Sequence, residues 1–381
     1  VGLDKATEGK GQIRSSVACN LDRHILAAAW PLFQSGNIQA IEWSFDALFQ
    51  VEQIPAWFFD LIHAFSEKGR LIGHGVFFSL FSGRWMKDQQ AWLDQLKIYS
   101  TQFDFDHISE HFGFMTGSNF HKGAPLSIPY NNTTLAIGRD RLHRISEVCE
   151  CPVGLENLAF AYSMDEIDRH GDFLQKLIEP VNGFIILDLH NLYCQMQNFD
   201  RSFEDILKLY PLDRVREIHI SGGSWEDSKI YATRKIRRDT HDQAVPVVVF
   251  ELLHQLIPKC PQLKYVILEQ IGPSLSTIES QAQFRDDFIK MDHIVRRHER
   301  NTRHESNNFK PIKHHAPGLP LENEELYTQQ KALSNILESA VDYHHASVLL
   351  NQSALVNTDW NVENWPPHML ETAIAIAQKW K

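Results

Sequence analysis

Residues 153–193 read VGLENLAFAYSMDEIDRHGDFLQKLIEPVNGFIILDLHNLY. A short apolar run, Val153–Leu158, carries a carboxylate at Glu156; a stretch of helical periodicity, Ser163–Ile178, follows; a second apolar run, Phe184–Leu189, carries the carboxylate of Asp188. Short apolar runs joined by a helix-length segment predict a β–α–β unit, because a helix is the usual way to bring the chain back for a parallel strand. Working outward, the same alternation covers the first 272 residues. Eight strands are expected, at Ser16–Leu21, Ala40–Phe45, Leu71–Phe77, His107–Phe112, Val153–Leu158, Phe184–Leu189, Glu217–Ser221 and Tyr265–Gln270. Helical stretches between them include Ile54–Lys68, Met86–Gln102, Thr133–Cys149, Ser163–Ile178 and Val245–Ile257, bounded by Gly, Pro or Asn–Asn breakers. Eight parallel strands over about 250 residues predict a closed (β/α)8 TIM barrel. No G-x-G-x-x-G follows the first strand and no P-loop is present, so an open nucleotide-binding sheet is not expected.

The chain has 381 residues, with Lys+Arg 37 against Asp+Glu 48 and a net charge of −11. That acidic balance argues against a protein built to neutralise nucleic-acid phosphates or anionic lipid headgroups. The longest apolar run, Ile25–Phe33, is broken by Pro31 and falls short of the roughly 18–20 residues that span a bilayer, so no membrane segment is expected. Asp4, Lys5, Glu8, Lys10 and Arg14 leave no apolar core for a secretory signal in the first fifteen residues. Five scattered cysteines fit a reducing compartment, and the expectation is a cytoplasmic protein. Cys149 and Cys151 read as two structural thiols.

After Pro273 the pattern changes. A charged helix is expected from Ile278 to Arg300, then a polar stretch with Pro311, Pro317 and Pro320, then two or three amphipathic helices carrying Trp360, Trp365 and Trp380. The expected division is a barrel over 1–300, a linker over 301–321 and a helical C-terminal extension over 322–381. The extension reads either as a cap on the barrel or as a surface for a partner.

Twenty histidines, an unusually high count, direct attention to metal chemistry. From the third strand onward, potential metal ligands sit at consecutive strand ends: His74, His111, Glu156, Asp188 with Asn191, His219 and Glu269. The segment between the last two strands adds Asp239 and His241. The carboxyl ends of barrel strands are where such enzymes place their active sites. Side-chain parity turns Glu156, Asp188, His219 and Glu269 into the lumen, and Glu217 with them, one layer below His219. Glu217 is then either a carboxylate orienting an imidazole or a group at the wet barrel bottom. Nine candidates are too many for one ion with open positions and point to two or three ions sharing carboxylates. Imidazole and carboxylate donors without thiolate suit non-haem iron, manganese or zinc.

The segments HGV at 74–76, SEHFGF at 109–114, LEN at 155–157, LDLHNLY at 187–193, EIHISGG at 217–223, DTHD at 239–242 and ILEQ at 267–270 occur in this order. Together they resemble the motif set of the multinuclear non-haem iron-dependent oxidative enzymes, a bacterial family long catalogued as a domain of unknown function; the resemblance covers about residues 15–272. It implies a barrel of the xylose-isomerase type holding two or three iron ions, which uses dioxygen to rework cysteine residues of ribosomally made precursor peptides, as in methanobactin-type oxazolone and 3-thiaglutamate formation. It also implies a partner protein or domain that presents the peptide. By motif, Glu156, Asp188, His219 and Glu269 would hold the central ion, His74 and His111 a second beside bridging Glu156, and Asn191, Asp239 and His241 a third. The family's usual D-x-N-N becomes Asp188-Leu189-His190-Asn191 here. The family pattern favours Asn191 as ligand, whereas strand parity with Asp188 favours His190. Two other activities use similar barrels: a sugar isomerase or epimerase on manganese, which leaves His74 and His111 unexplained, and a zinc phosphodiesterase of the endonuclease kind, which calls for a basic groove. The C-terminal extension lies outside the motif set. Its Leu and Trp residues would form a small helical core or help capture the peptide.

Overall fold

Each apolar run becomes a strand of one closed parallel barrel in the computed structural model, which describes residues 12–49, 51, 53–116, 123–299, 309–312 and 318–379. The strands are β1 (Arg14–Ala18), β2 (Ala40–Trp43), β3 (Leu71–Gly75), β4 (Phe105–His111), β5 (Val153–Glu156), β6 (Phe184–Asp188), β7 (Val215–Ile220) and β8 (Tyr265–Leu268), each beside its neighbours in sequence. The barrel closes where Ser16 of β1 pairs with Ala40 of β2 on one side and Ile267 of β8 on the other. Helices α1 (Arg23–Gln34), α2 (Ala56–Ser66), α3 (Lys87–Gln102), α4 (Asn132–Cys149), α5 (Met164–Ile178), α6 (Leu189–Asn198), α7 (Phe203–Leu207), α8 (Val247–Leu256) and α9 (Ile278–Glu299) accompany the strands.

Local chemistry sets the boundaries. The first strand ends three residues earlier than expected because Asp22 caps α1, its carboxylate accepting from the backbone of His24 (2.7 Å) and Ile25 (3.1 Å). Asn131 and Ser163 cap α4 and α5 in the same way. Two short antiparallel ribbons escape the sequence reading, Phe114–Met115 with Pro125–Leu126 after β4 and Trp225–Asp227 with Lys235–Arg237 after β7. Strands of two or three residues are too short for alternation to register.

Inside the barrel, Ala40, Ile72, Tyr265 and Ile267 form an apolar layer. Phe184 and Ile186 meet Phe309 at the N-terminal end. Phe309 belongs to the expected linker, of which 301–308 and 313–317 lie outside the described residues, as do residues 1–11 of the expected barrel.

The C-terminal region is helical: α10 (Glu324–Ser339), α11 (Tyr343–Asn351) and α12 (Pro367–Gln378). Asn323 N donates to Gly83 O (2.7 Å), and the Gln330 amide bridges Gly83 N (2.9 Å) and Phe81 O (2.8 Å), fixing α10 to the loop after β3. Trp360 packs edge-on against Phe114 after β4, and Trp365 stacks on Tyr162 after β5 at 3.9 Å between ring centroids. Glu371 accepts from Ser228 Oγ (2.6 Å) and Lys229 N (2.9 Å) beyond β7. Leu333, Leu337, Leu350, Trp360 and Trp365 are buried, the helices of the extension packing on one another and on the loops beyond β3, β4 and β5. Trp380 lies outside the described residues. No helix among the described residues is long and apolar enough to cross a membrane.

Because the Trp365 ring is buried against Tyr162 and its Nε1 donates to Trp360 O (2.8 Å), Trp365→Ala is expected to cost about 3–5 kcal/mol of stability. Urea unfolding followed by circular dichroism measures it; a loss below about 1 kcal/mol would mean that the cap is not packed as described.

Candidate metal centre

The strand ends deliver their polar side chains to one face. His74 ends β3 next to a loop held by the buried Asp46, whose Oδ2 accepts from Val76 N and Phe77 N (2.8 Å each) and Trp92 Nε1 (3.0 Å). His111, Glu156 and Asp188 end β4, β5 and β6; His219 lies in β7 and Glu269 directly follows β8. Asp239 and His241 come from the loop behind the second ribbon, where His241 adopts a left-handed backbone with φ of 54°. For a residue other than glycine that conformation costs about 1–3 kcal/mol, and such strain concentrates at functional positions.

All nine sequence-nominated side chains converge, linked through Glu156. Its Oε2 lies 3.1 Å from His74 Nε2 and 3.4 Å from His111 Nε2, and its Oε1 lies 3.3 Å from Asn191 Nδ2 and 3.8 Å from His219 Nδ1. Glu269 Oε2 lies 3.4 Å from His219 Nδ1 and 3.7 Å from His241 Nδ1, while His241 Nε2 is 2.9 Å from Asp239 Oδ1. Among these nine, three groups have ligand atoms within 4.8 Å of one another, His74–His111–Glu156, Glu156–Asp188–His219 and Asp188–His241–Glu269, and a fourth, Glu42–Glu217–His219, adjoins them through His219. No cysteine joins them among the described residues.

Hydrogen bonds to the far side of two rings set their direction. His74 Nδ1 donates to Ser109 Oγ (2.8 Å), a hydroxyl that itself donates to Gly73 O, and His111 Nδ1 donates to Gly75 O (3.2 Å). Each ring therefore turns its Nε2 toward Glu156. Asp188 Oδ2, Asn191 Oδ1 and His219 Nδ1 are buried with no hydrogen-bond partner. An unpaired buried polar atom costs about 1–3 kcal/mol, and three of them around one set of carboxylates are the donor pattern that a cation satisfies.

The electrostatics agree. Burial pulls His74 down, but Glu42 and Glu156 outweigh it and hold its imidazolium up to about 10. His241 likewise reaches about 10 through Asp239 and Glu269. Burial, with Asp239, Glu156 and Glu269 close by, pushes Asp188 well above the carboxylate range. Burial would raise Asp239 too, yet His241 and His190 hold it well below that range.

The choice between 190 and 191 turns on where the strand stops. β6 ends at Asp188, which caps α6 by accepting Asn191 N at 2.5 Å. Beyond it the chain is helical, so strand parity no longer applies and residues three apart share a face. Asn191 lies beside Glu156, with its Nδ2 also donating to Asn157 O (2.8 Å). His190 is buried, and both its nitrogens are engaged: Nδ1 donates to Asp239 Oδ1 (2.9 Å) and Nε2 accepts from Arg237 Nε (3.1 Å).

One participant escaped the sequence reading. Glu42 of β2 is buried with Oε2 3.1 Å from His219 Nε2, and burial pushes it up to about 8. Parity could have found it, since Glu42 lies two residues beyond the lumen-facing Ala40. Glu217 is buried inside the barrel with Oε1 2.7 Å from His219 Nε2, so it orients an imidazole and does not meet water at the barrel bottom.

Relatives share this sequence at low identity. The chain is 26% identical over 220 residues to the UPF0276 protein of Acaryochloris marina, covering 57% of this chain and 76% of that protein. It is 28% identical over 194 residues to the UPF0276 protein of Caulobacter vibrioides, covering 50% and 66% respectively. Among solved structures, a xylose isomerase domain protein from Planctomyces limnophilus aligns with a TM-score of 0.49 at 13% identity, covering 75% of this chain and 98% of that one. An L-ribulose 3-epimerase aligns with a TM-score of 0.47 at 10% identity, covering 77% and 100%. Residues 51–282, more than half of the chain, match the family described as RiPP precursor modification enzyme MbnB/TglH/ChrH. The chain belongs to that family.

Proposed function

We propose that this protein is a multinuclear non-haem iron enzyme that uses dioxygen to oxidise cysteine residues of a ribosomally synthesised precursor peptide, presented by a partner protein or domain. One observation carries the multinuclear part: the two oxygens of a single buried carboxylate, Glu156, face different donor groups, His74 and His111 on one side and Asn191 and His219 on the other. The residues that would hold iron are His74, His111 and Glu156 for one ion; Glu156, Asp188, His219 and Glu269 for the central ion; and Asn191, Asp239 and His241 for a third. Iron bound there would supply the activation of dioxygen, the oxidant of the reaction, which protein side chains cannot provide. The peptide substrate follows from the family to which residues 51–282 belong.

The chain's own contribution is preorganisation. Ser109 and Gly75 O aim two imidazoles, the cap of α6 fixes Asn191 beside Asp188, and His190 steadies Asp239. The apolar layer of Ala40, Ile72, Tyr265 and Ile267 excludes water from beneath the ligands.

Protein purified and reconstituted anaerobically with Fe2+ is expected to bind more than one iron per chain, with Glu156→Ala losing two ions together; elemental analysis that never exceeds one ion, or full activity with zinc alone, would sink the reading. Asn191→Ala is expected to lose one ion and His190→Asn to keep it at about 10-fold lower affinity, since Asp239 forfeits its supporting N–H. The reverse outcome in the same metal assays would make His190 the ligand. His74 and His241 hold their protons up to about 10, and a cation must displace them. Metal uptake is therefore expected to release protons, and affinity to fall as pH falls. Titration calorimetry in buffers of differing ionisation enthalpy reads the proton count, and a count of zero would contradict the assignment of those two rings.

A further inference from the structure

Beneath the metal centre a column of charged side chains descends the barrel axis. Glu217 lies one layer below His219 and is fully buried; its Oε1 faces His219 Nε2 at 2.7 Å and its Oε2 faces His107 Nε2 at 2.9 Å. His107 on β4, also fully buried, turns Nδ1 to Asp106 Oδ2 at 2.9 Å. Asp106 is held in turn by Arg216 Nη2 at 2.8 Å and by Lys264 Nζ. At this end Phe309 packs against Phe184, and the Arg216 guanidinium lies over both rings. Four ionisable side chains thus connect the lower end of the barrel to the ligand cluster in one hydrogen-bonded series.

The polarity of the series follows from elementary donor rules. An ionised carboxylate only accepts, so Glu217 takes an N–H from each imidazole. Burial alone would push Glu217 up, but His107 and His219 hold it below the ordinary carboxylate range. With its Nε2 hydrogen committed to Glu217 at 2.7 Å, and Glu42 Oε2 lying 3.1 Å from the same nitrogen, a His219 ring that has given up its second proton to a cation has one lone pair, on Nδ1. Nδ1 is the atom that looks toward Glu156 Oε1 (3.8 Å) and Glu269 Oε2 (3.4 Å). A Glu217 lacking His107 would hold one oxygen in the apolar layer with no donor and could turn away from His219 to find one.

We propose that His107, backed by Asp106, is a positioning residue of the metal centre: by clamping Glu217 it holds the His219 ring so that Nδ1, and not Nε2, is offered to a cation. This rests on the metal reading above and assigns His219 the opposite ring nitrogen from His74 and His111.

The test uses the full chain, labelled with 15N-histidine, and Zn2+ alone as the probe. In the unsubstituted protein, NMR is expected to show His219 bound to Zn2+ through Nδ1 with Nε2 protonated. Binding through Nε2 overturns the proposal and leaves the metal centre standing, whereas the absence of any Zn2+-bound histidine overturns both. In chelator competition, His107→Leu is expected to weaken one ion per chain about 10- to 100-fold, the usual effect of removing a group that orients a ligand, with the other ions unchanged. His107→Gln, whose amide can still donate to Glu217, is expected to recover most of that affinity. Equal affinities in His107→Leu and the unsubstituted protein, or an equal loss at every ion, overturns the proposal. If circular dichroism shows that His107→Leu does not fold, the ring-nitrogen assignment and the Gln variant decide.

Discussion

Closure of eight strands leaves a single narrow, dry lumen, and a charge that points into it must be met by an opposite charge or a cation. In this barrel the constraint is met in two ways along one axis. Low in the lumen, Asp106, His107 and Glu217 alternate acid and imidazole, with Arg216 and Lys264 at the base, so partners are found within the protein. Higher up, carboxylates and imidazoles gather with Asp188 Oδ2, Asn191 Oδ1 and His219 Nδ1 unpaired. That imbalance is of the kind a cation would relieve, since a buried network whose only purpose is stability satisfies its own members.

The scaffold around the site is held from outside the barrel. Asp46, buried beneath α3, ties the loop after β3 to Trp92 and fixes the chain directly beyond His74. The C-terminal helices reach the same face, where Gln330 braces Gly83, Trp360 and Trp365 settle on Phe114 and Tyr162, and Glu371 holds the excursion beyond β7. Loops that carry the converging side chains are thereby anchored to rigid elements, which fixes their geometry. His241 keeps a left-handed backbone with its ring between Asp239 and Glu269.

Much of this was legible in the chain itself. Period-two and period-3.6 patterning locates all eight strands and the barrel they close, because each element must bury one face and its spacing records which. The convergence of the strand-end His, Glu and Asp side chains could be read for the same reason: in a parallel barrel the carboxyl ends share one face, so position along the sequence becomes position in space. Tertiary structure alone decided the rest. Strand parity would turn His190 into the lumen beside Asp188, yet Asp188 caps a helix that begins at Leu189, so the side chain beside Glu156 is that of Asn191, and that cap is a three-dimensional hydrogen bond. Whether Glu217 met water or an imidazole depended on His107, 110 residues away. Trp360 and Trp365 of the extension could have faced a partner or the barrel, since amphipathic helices record that a face is buried and not what buries it. Tyr162 and Phe114 supply that answer, and they come from loops whose positions follow only once the barrel has closed.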